Sequence, residues 1–286
     1  MKFKLILIFI FCYSYVCFSQ NDLLSLIDNN TTEYSNYIFK GTKVVNSESV
    51  EMPNNGVLQF MIQHRFGTLN SGFYNFYGLD NSQVRMSLAY GINDRLSIGI
   101  GRSSSLKAID SNLKYQLFRQ SKGNKTFPLT ICLNSSIVFK QYLKSTSENS
   151  SFLLSDQFSY SHQLLIARKI NRKFSIQLSP TLVHYNLLSI DQFNNDLYSI
   201  GYGLRYKLSN RISVNLESFS QFNSQNKINP ISIGFDVETG GHVFQFHLSN
   251  SAFMINRAFI HETYDLWSEG SIYFGFNISR VFTVKE

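Results

Sequence analysis

"LYSIGYGLRYKLSNRISVNLE", Leu197–Glu217, contains the alternation from which the fold follows. Tyr198, Ile200, Tyr202, Leu204, Tyr206 and Leu208 share one parity, and Ser199, Gly201, Gly203, Arg205 and Lys207 share the other. Successive side chains of an extended chain point to opposite sides, so a period of two held over a dozen residues gives a strand with one apolar and one polar face. After Ser209-Asn210-Arg211 the alternation resumes, with Ile212, Val214 and Leu216 against Ser213, Asn215 and Glu217. A three-residue loop sets Leu208 opposite Ile212, Tyr206 opposite Val214 and Leu204 opposite Leu216, so the two strands of the hairpin share an apolar face.

The pattern recurs. Val84–Ile92 and Leu96–Ile100 flank Asn93-Asp94-Arg95, and Leu164–Ile170 and Phe174–Leu178 flank Asn171-Arg172-Lys173. These are tight hairpin loops, with Asn or Asp expected in the left-handed position. Gly240-Gly241 makes a fourth hairpin that pairs Val237 with Phe244 and Phe235 with Phe246. Extended along the chain, the reading gives about twelve strands: 56–66, 83–92, 96–103, 109–119, 127–141, 152–170, 174–187, 197–208, 212–222, 230–239, 242–250 and 270–282. Tight turns follow the second, sixth, eighth and tenth strands, and longer links fall mostly between, the short third-to-fourth link excepted.

Alternation of short and long connections predicts an all-β fold, an antiparallel up-and-down transmembrane β-barrel, with short periplasmic turns and both termini in the periplasm. In lipid every backbone N–H and C=O must be paired within the protein, and strands satisfy this only as a closed cylinder. A soluble β-sandwich would alternate in the same way. The polar parity argues against it: Ser97, Gly99, Gly101, Ser199, Gly201, Gly203, Ser232 and Gly234 replace the Lys and Glu that coat soluble sheets. Tyr90, Tyr202, Tyr206, Phe274 and Phe282 are expected to supply aromatic girdles.

The chain opens "MKFKLILIFIFCYSYVCFSQ": a basic head, an apolar middle and a cleavage site before Gln20, which read as a signal peptide over residues 1–19. Its apolar run is too short for a membrane anchor, and Val16 argues against lipidation of Cys17. The mature chain keeps only Cys132, so no intramolecular disulfide is expected, and Cys132 reads as a packing residue. Residues 20–55 form a polar segment without a clear strand or helix pattern, a candidate plug or periplasmic extension, and residues 56–286 form the barrel. The net charge of +7 falls with loss of Lys2 and Lys4 to a modest excess that does not point to nucleic acid.

The segment Phe39–Ser104, with "HRFG", "FYGLD" and "GINDRLSIGIGRSS", continued by "LKYQLFRQ" at Leu113–Gln120, resembles an uncharacterised family of predicted outer-membrane β-barrel proteins from Bacteroidota. The resemblance implies fold and location and carries no activity. In the last strand Arg280 interrupts the apolar parity and four residues follow Phe282, a departure from the usual signal for the insertion machinery.

By parity Arg65, Arg85, Lys114, Arg205 and Lys207 point into the lumen, with Glu217, Asp236 and Glu238 on later strands. A positive wall facing a negative one either biases a channel's ion selectivity or closes the lumen as a salt-bridged network. Arg65 is expected to pair with a carboxylate such as Asp80. "HLS", His247-Leu248-Ser249, resembles the His-x-Ser pair of outer-membrane phospholipases, but by parity His247 and Ser249 point away from lipid. The Gly-x-Gly at Gly99–Gly101 has no helix after it and is not a dinucleotide loop, and the six histidines show no metal spacing. No cofactor, metal or catalytic site is expected. The partners expected are outer-membrane lipid, the insertion machinery and small solutes. Two functions remain: a channel or transporter for small solutes, or a closed barrel with a structural, adhesion or docking role.

Overall fold

A computed structural model describes residues 31–140, 153–188, 194–226 and 228–285; residues 1–19, expected to be a signal peptide, lie outside them. Twelve antiparallel strands close into one barrel in chain order. They are β1 (Val57–Thr68), β2 (Ser82–Asn93), β3 (Leu96–Ser103), β4 (Ala108–Phe118), β5 (Thr130–Lys140), β6 (Phe158–Lys169), β7 (Phe174–Tyr185), β8 (Asp196–Lys207), β9 (Ile212–Gln221), β10 (Ile231–Thr239), β11 (His242–Ser249) and β12 (Tyr273–Thr283). β12 pairs with β1, from Tyr273 opposite Thr68 to Thr283 opposite Val57, so no edge is left open.

The hairpin registers follow from the alternation. Tyr206 lies opposite Val214 and Leu204 opposite Leu216; Val237 lies opposite Phe244 and Phe235 opposite Phe246. The outward parity is mostly apolar and half-buried to exposed, as with Ile98, Leu133, Leu178, Tyr198, Ile233 and Phe246, while the inward parity is buried and largely polar. This inversion of a soluble protein's usual distribution is stable only where the outside is hydrocarbon.

Several local expectations need correction. The loop residues Asn93, Asp94, Asn171 and Asn210 do not take the left-handed conformation, which among the described non-glycine residues is confined to Tyr37, Phe76, Tyr77, Leu106 and Lys107. The loops are instead closed by side-chain acceptors: Asn93 Oδ1 takes the Arg95 N–H (2.8 Å), Asn171 Oδ1 those of Lys173 and Phe174 (both 2.8 Å), and Ser209 Oγ those of Arg211 and Ile212. β6 begins at Phe158, after a 3₁₀ turn at Leu154–Gln157, rather than at 152. Tyr202 lies at mid-strand, opposite Leu178 and Ser218, not at a girdle. Tyr206 and Phe282 do sit near strand ends.

The described residues begin and end at the tight-turn end of the barrel. There Thr32–Tyr34 pairs with Ser121–Gly123 of the β4–β5 connection. The chain then enters the barrel before β1 begins.

Candidate functional site: the filled lumen

Past the exposed Tyr37, residues 38–52 run inside the barrel. Ile38, Phe39, Val44, Val45, Ser49 and Val50 are fully buried. Residues 42–49 form a tight hairpin, closed by Ser49 N–H to Thr42 O (3.0 Å) and Val44 N–H to Ser47 O (2.9 Å). Two glycines of the inward parity make room for its tip. A Cβ at Gly203 would meet Val44 at 3.3 Å, and one at Gly234 would meet Val45 at 2.9 Å.

The tip is latched by one carboxylate. Glu217, on β9, accepts the backbone N–H groups of Val45 (3.1 Å), Asn46 (2.8 Å) and Ser47 (3.0 Å) and the Ser47 hydroxyl (2.8 Å). These are charge-assisted bonds to otherwise orphaned buried donors. The hairpin's carbonyls are met from the other walls. Gln245 donates to Val44 O (2.6 Å), Asn277 to Val45 O (2.9 Å) and Gln177 to Glu48 O (2.8 Å), while Gln177 also accepts the Val50 N–H (3.0 Å).

The predicted lumen charges take distinct places. Lys114 bonds Glu48 of the hairpin (3.0 Å) and the carbonyls of Ser49 and Glu51. Arg205 donates to the carbonyls of Tyr37 (2.8 Å) and Ile38 (3.0 Å) where the segment enters. Arg85 is held by Asp110 of β4 through Nε (2.9 Å) and by Gln63 (2.7 Å). Asp236 is bound by Ser213, Asn215 and Gln245 and makes no ion pair among the described residues. Glu238 is half-buried at the rim and pairs with Lys40, and Lys207 is half-buried nearby. Arg65 is not paired with Asp80: it is wholly buried and donates to Asn46 Oδ1 and to His64 O (3.0 Å). Most of these charges therefore meet the inserted segment or a wall neighbour rather than an opposite wall. The amides Gln63, Gln177, Gln245 and Asn277, the Arg85 partner Asp110, and Lys43 and Glu48 of the hairpin were absent from the sequence-derived set. Shared inward parity was the available signal for the wall residues.

Glu48 sits between Lys43 and Lys114. Burial alone would raise its carboxyl, but the two ammonium groups outweigh that and hold it at about 2. The recess beside Lys43, Glu48 and Lys114 is about 40 Å³, room for a water or two.

The opposite half of the lumen is filled by the β11–β12 connection, whose short helix α1 (Asn256–His261) is buried along its whole length. Asn256 donates to Gln163 (3.0 Å), the Tyr185 hydroxyl donates to Arg257 O (3.0 Å), and Phe259 meets Phe219 edge-on with ring centres 5.3 Å apart. His261 Nδ1 lies 2.9 Å from Gln221 Oε1, and burial pushes its imidazole down to about 3.

His247 and Ser249 both face this filled interior. Ser249 Oγ accepts from Ser232 Oγ (2.9 Å), and neither ring nitrogen of His247 has a hydrogen-bond partner among the described residues, so no bond there joins the two in a proton relay. Cys132 is buried against Val50 and Leu165, in a packing role. On the lipid face a different pair stands out: Ser135 Oγ and His162 Nδ1 lie 2.8 Å apart at the floor of an apolar recess of about 540 Å³ rimmed by Leu133, Leu182, Tyr198 and Phe222.

Residues 39–282 match the family described as "Membrane bound beta barrel domain (DUF5777)". The chain belongs to this membrane-bound β-barrel family. No curated protein matches in sequence. Similar solved structures include outer-membrane channels and an enzyme. The KdgM porin is 9% identical with a TM-score of 0.47, over 79% of this chain and 99% of that one. An outer-membrane channel from Pseudomonas putida F1 is 12% identical with a TM-score of 0.46, over 81% and 97%. Outer membrane phospholipase A from Escherichia coli is 10% identical with a TM-score of 0.46, over 80% and 93%.

Proposed function

We propose that this membrane-bound β-barrel is an outer-membrane channel for small polar solutes, exported by its signal peptide and shut in the described state by residues 38–52 and the α1 loop. In this orientation the tight turns face the periplasm. The observation that carries the reading is the way the segment is seated. Its tip and its carbonyls are held by Glu217, Gln245, Asn277, Gln177 and Lys114, polar groups that water or a polar solute can replace on release. A barrel closed for good is served more simply by apolar side chains, because buried charges cost free energy that hydrophobic isosteres do not. With the segment withdrawn, Arg65, Arg85, Lys114, Arg205 and Lys207 line a wetted lumen with Glu217, Asp236 and Glu238 and bias ion passage.

The test is planar-bilayer recording of the full chain and of a variant lacking residues 38–52. Rare bursts from the first and sustained steps from the second, with ion selectivity altered by Arg85→Gln or Arg205→Gln, support the channel. Silence from both, with insertion verified, leaves a closed barrel with a structural or docking role.

A second reading, acyl-ester hydrolysis at the lipid face, rests on the Ser135–His162 pair. It ranks lower because Ser135 is at the centre of β5, at the depth of acyl chains rather than ester groups, and no carboxylate bond to His162 is found among the described residues. Fatty-acid release from mixed micelles, lost in Ser135→Ala, tests it.

A further inference from the structure

We propose that the tight-turn rim is a binding surface for the phosphate headgroups of acidic phospholipids in the leaflet it faces. Besides Lys285, exposed just past β12, the cations at that rim include two groups. Arg119 and Lys169 secure the fold, since both bond Asn36, at the root of the inserted segment, with Lys169 Nζ 2.8 Å from its carbonyl. Arg95, Lys122, Lys125, Arg172, Lys173 and Arg211 secure nothing of this kind. All six are exposed, and no ion pair engages any of them among the described residues.

Their placement is not scattered. They stand on four consecutive connections, β2–β3, β4–β5, β6–β7 and β8–β9, which form one continuous arc because these strands are neighbours in the barrel. The exposed carboxylates beside them are Glu33 and Asp94. Among the described residues the opposite rim exposes Asp80, Asp196 and Glu269 together with Arg102 and Lys107, so the long axis of the barrel runs from a strongly cationic end to a nearly balanced one. Among the described residues the exposed positive charge is thus concentrated at one end.

Two further arginines indicate which kind of anion the arc meets. Arg168 and Arg280 lie on the lipid-facing parity near the same ends of β6 and β12, both exposed. Arg280 Cζ is 4.9 Å from the centre of the Phe282 ring. A soluble partner resting on the turns would not touch these side faces, whereas headgroups surround the barrel at that depth. Long cationic side chains with their stems in the apolar layer and their charges at the phosphates are stable there. The break in alternation at Arg280 thereby acquires a purpose.

The proposal rests on the membrane reading above and not on the channel. It is tested by native mass spectrometry of the purified full chain in detergent, offered phosphatidylglycerol and phosphatidylcholine in equal amounts. The parent should retain phosphatidylglycerol several-fold over phosphatidylcholine. Replacing Arg95, Arg172, Lys173 and Arg211 by Gln should bring the ratio near one, and Arg102→Gln with Lys107→Gln, at the opposite rim, should leave it unchanged. Equal retention by the parent, or an unchanged ratio in the rim variant, overturns the proposal. So does rim-dependent binding of soluble polyphosphate without any phospholipid preference, which would assign the arc to a polyanionic partner. Heat-modifiable migration on gels verifies that each variant is folded, and bilayer conductance is not involved in the readout.

Discussion

Replacing Glu217 by Ala removes the latch without touching the membrane-facing surface. Three backbone donors, of Val45, Asn46 and Ser47, and one hydroxyl lose their shared acceptor. Each buried donor left unpaired costs about 1–3 kcal/mol, and relaxation or an entering water offsets part of the sum, so the seated state should lose about 4 kcal/mol. That corresponds to a roughly thousandfold shift toward release. Amide hydrogen exchange reads the seat directly: protection at residues 45–47 should fall by about that factor, while amides in β8 and β9 keep theirs. In a planar bilayer the same variant should open far more often than the parent. Glu217→Gln keeps an acceptor oxygen and should fall between the two. Exchange at residues 45–47 indistinguishable from the parent in Glu217→Ala would refute the reasoning, because it would show that the hairpin is held by something other than this carboxylate.

Ile200→Arg or Phe235→Arg places a charge on the lipid face and should cost about 2–4 kcal/mol near the bilayer midplane, seen as loss of the heat-modifiable band. Gly91→Ala drives a methyl group into the carbonyl oxygens of Pro53 and Asn54, where the segment leaves the lumen; with backbone unable to yield, the cost should be about 1–3 kcal/mol, read as a lowered unfolding midpoint. Burial holds His261 neutral down to about 3 against an ordinary value of 6.5. Only the released loop takes up a proton between those values, so the α1 loop should be at full stability above 6.5 and loosen as pH falls toward 3. Exchange at Phe259 and Ile260 should show this, and His261→Gln should abolish it. For Glu48 the stabilisation is fully present above the ordinary carboxylate value of 4.5 and is lost between there and about 2. The hairpin should therefore loosen further in that window, but not in Glu48→Gln.

The barrel is legible in the chain alone. Alternation is a local property, written within about ten residues, and a one-residue slip would turn Tyr206 or Phe235 toward the lumen, so strand number and hairpin register need no knowledge of distant contacts. Which charges point inward is equally legible, since parity assigns Arg65, Arg85 and Glu217 to the polar face. What those charges touch emerges only in three dimensions. Glu217 meets Ser47 across 170 positions of sequence and Gln245 meets Val44 across 201, and no periodicity links residues so far apart. The same holds for α1, which reads as an ordinary loop until the walls supply Gln163, Tyr185 and Gln221 as partners. Gly203 and Gly234 show the boundary most clearly. Their place on the inward face follows from alternation, but the reason for their size is the pair of valines that the closed barrel brings against them.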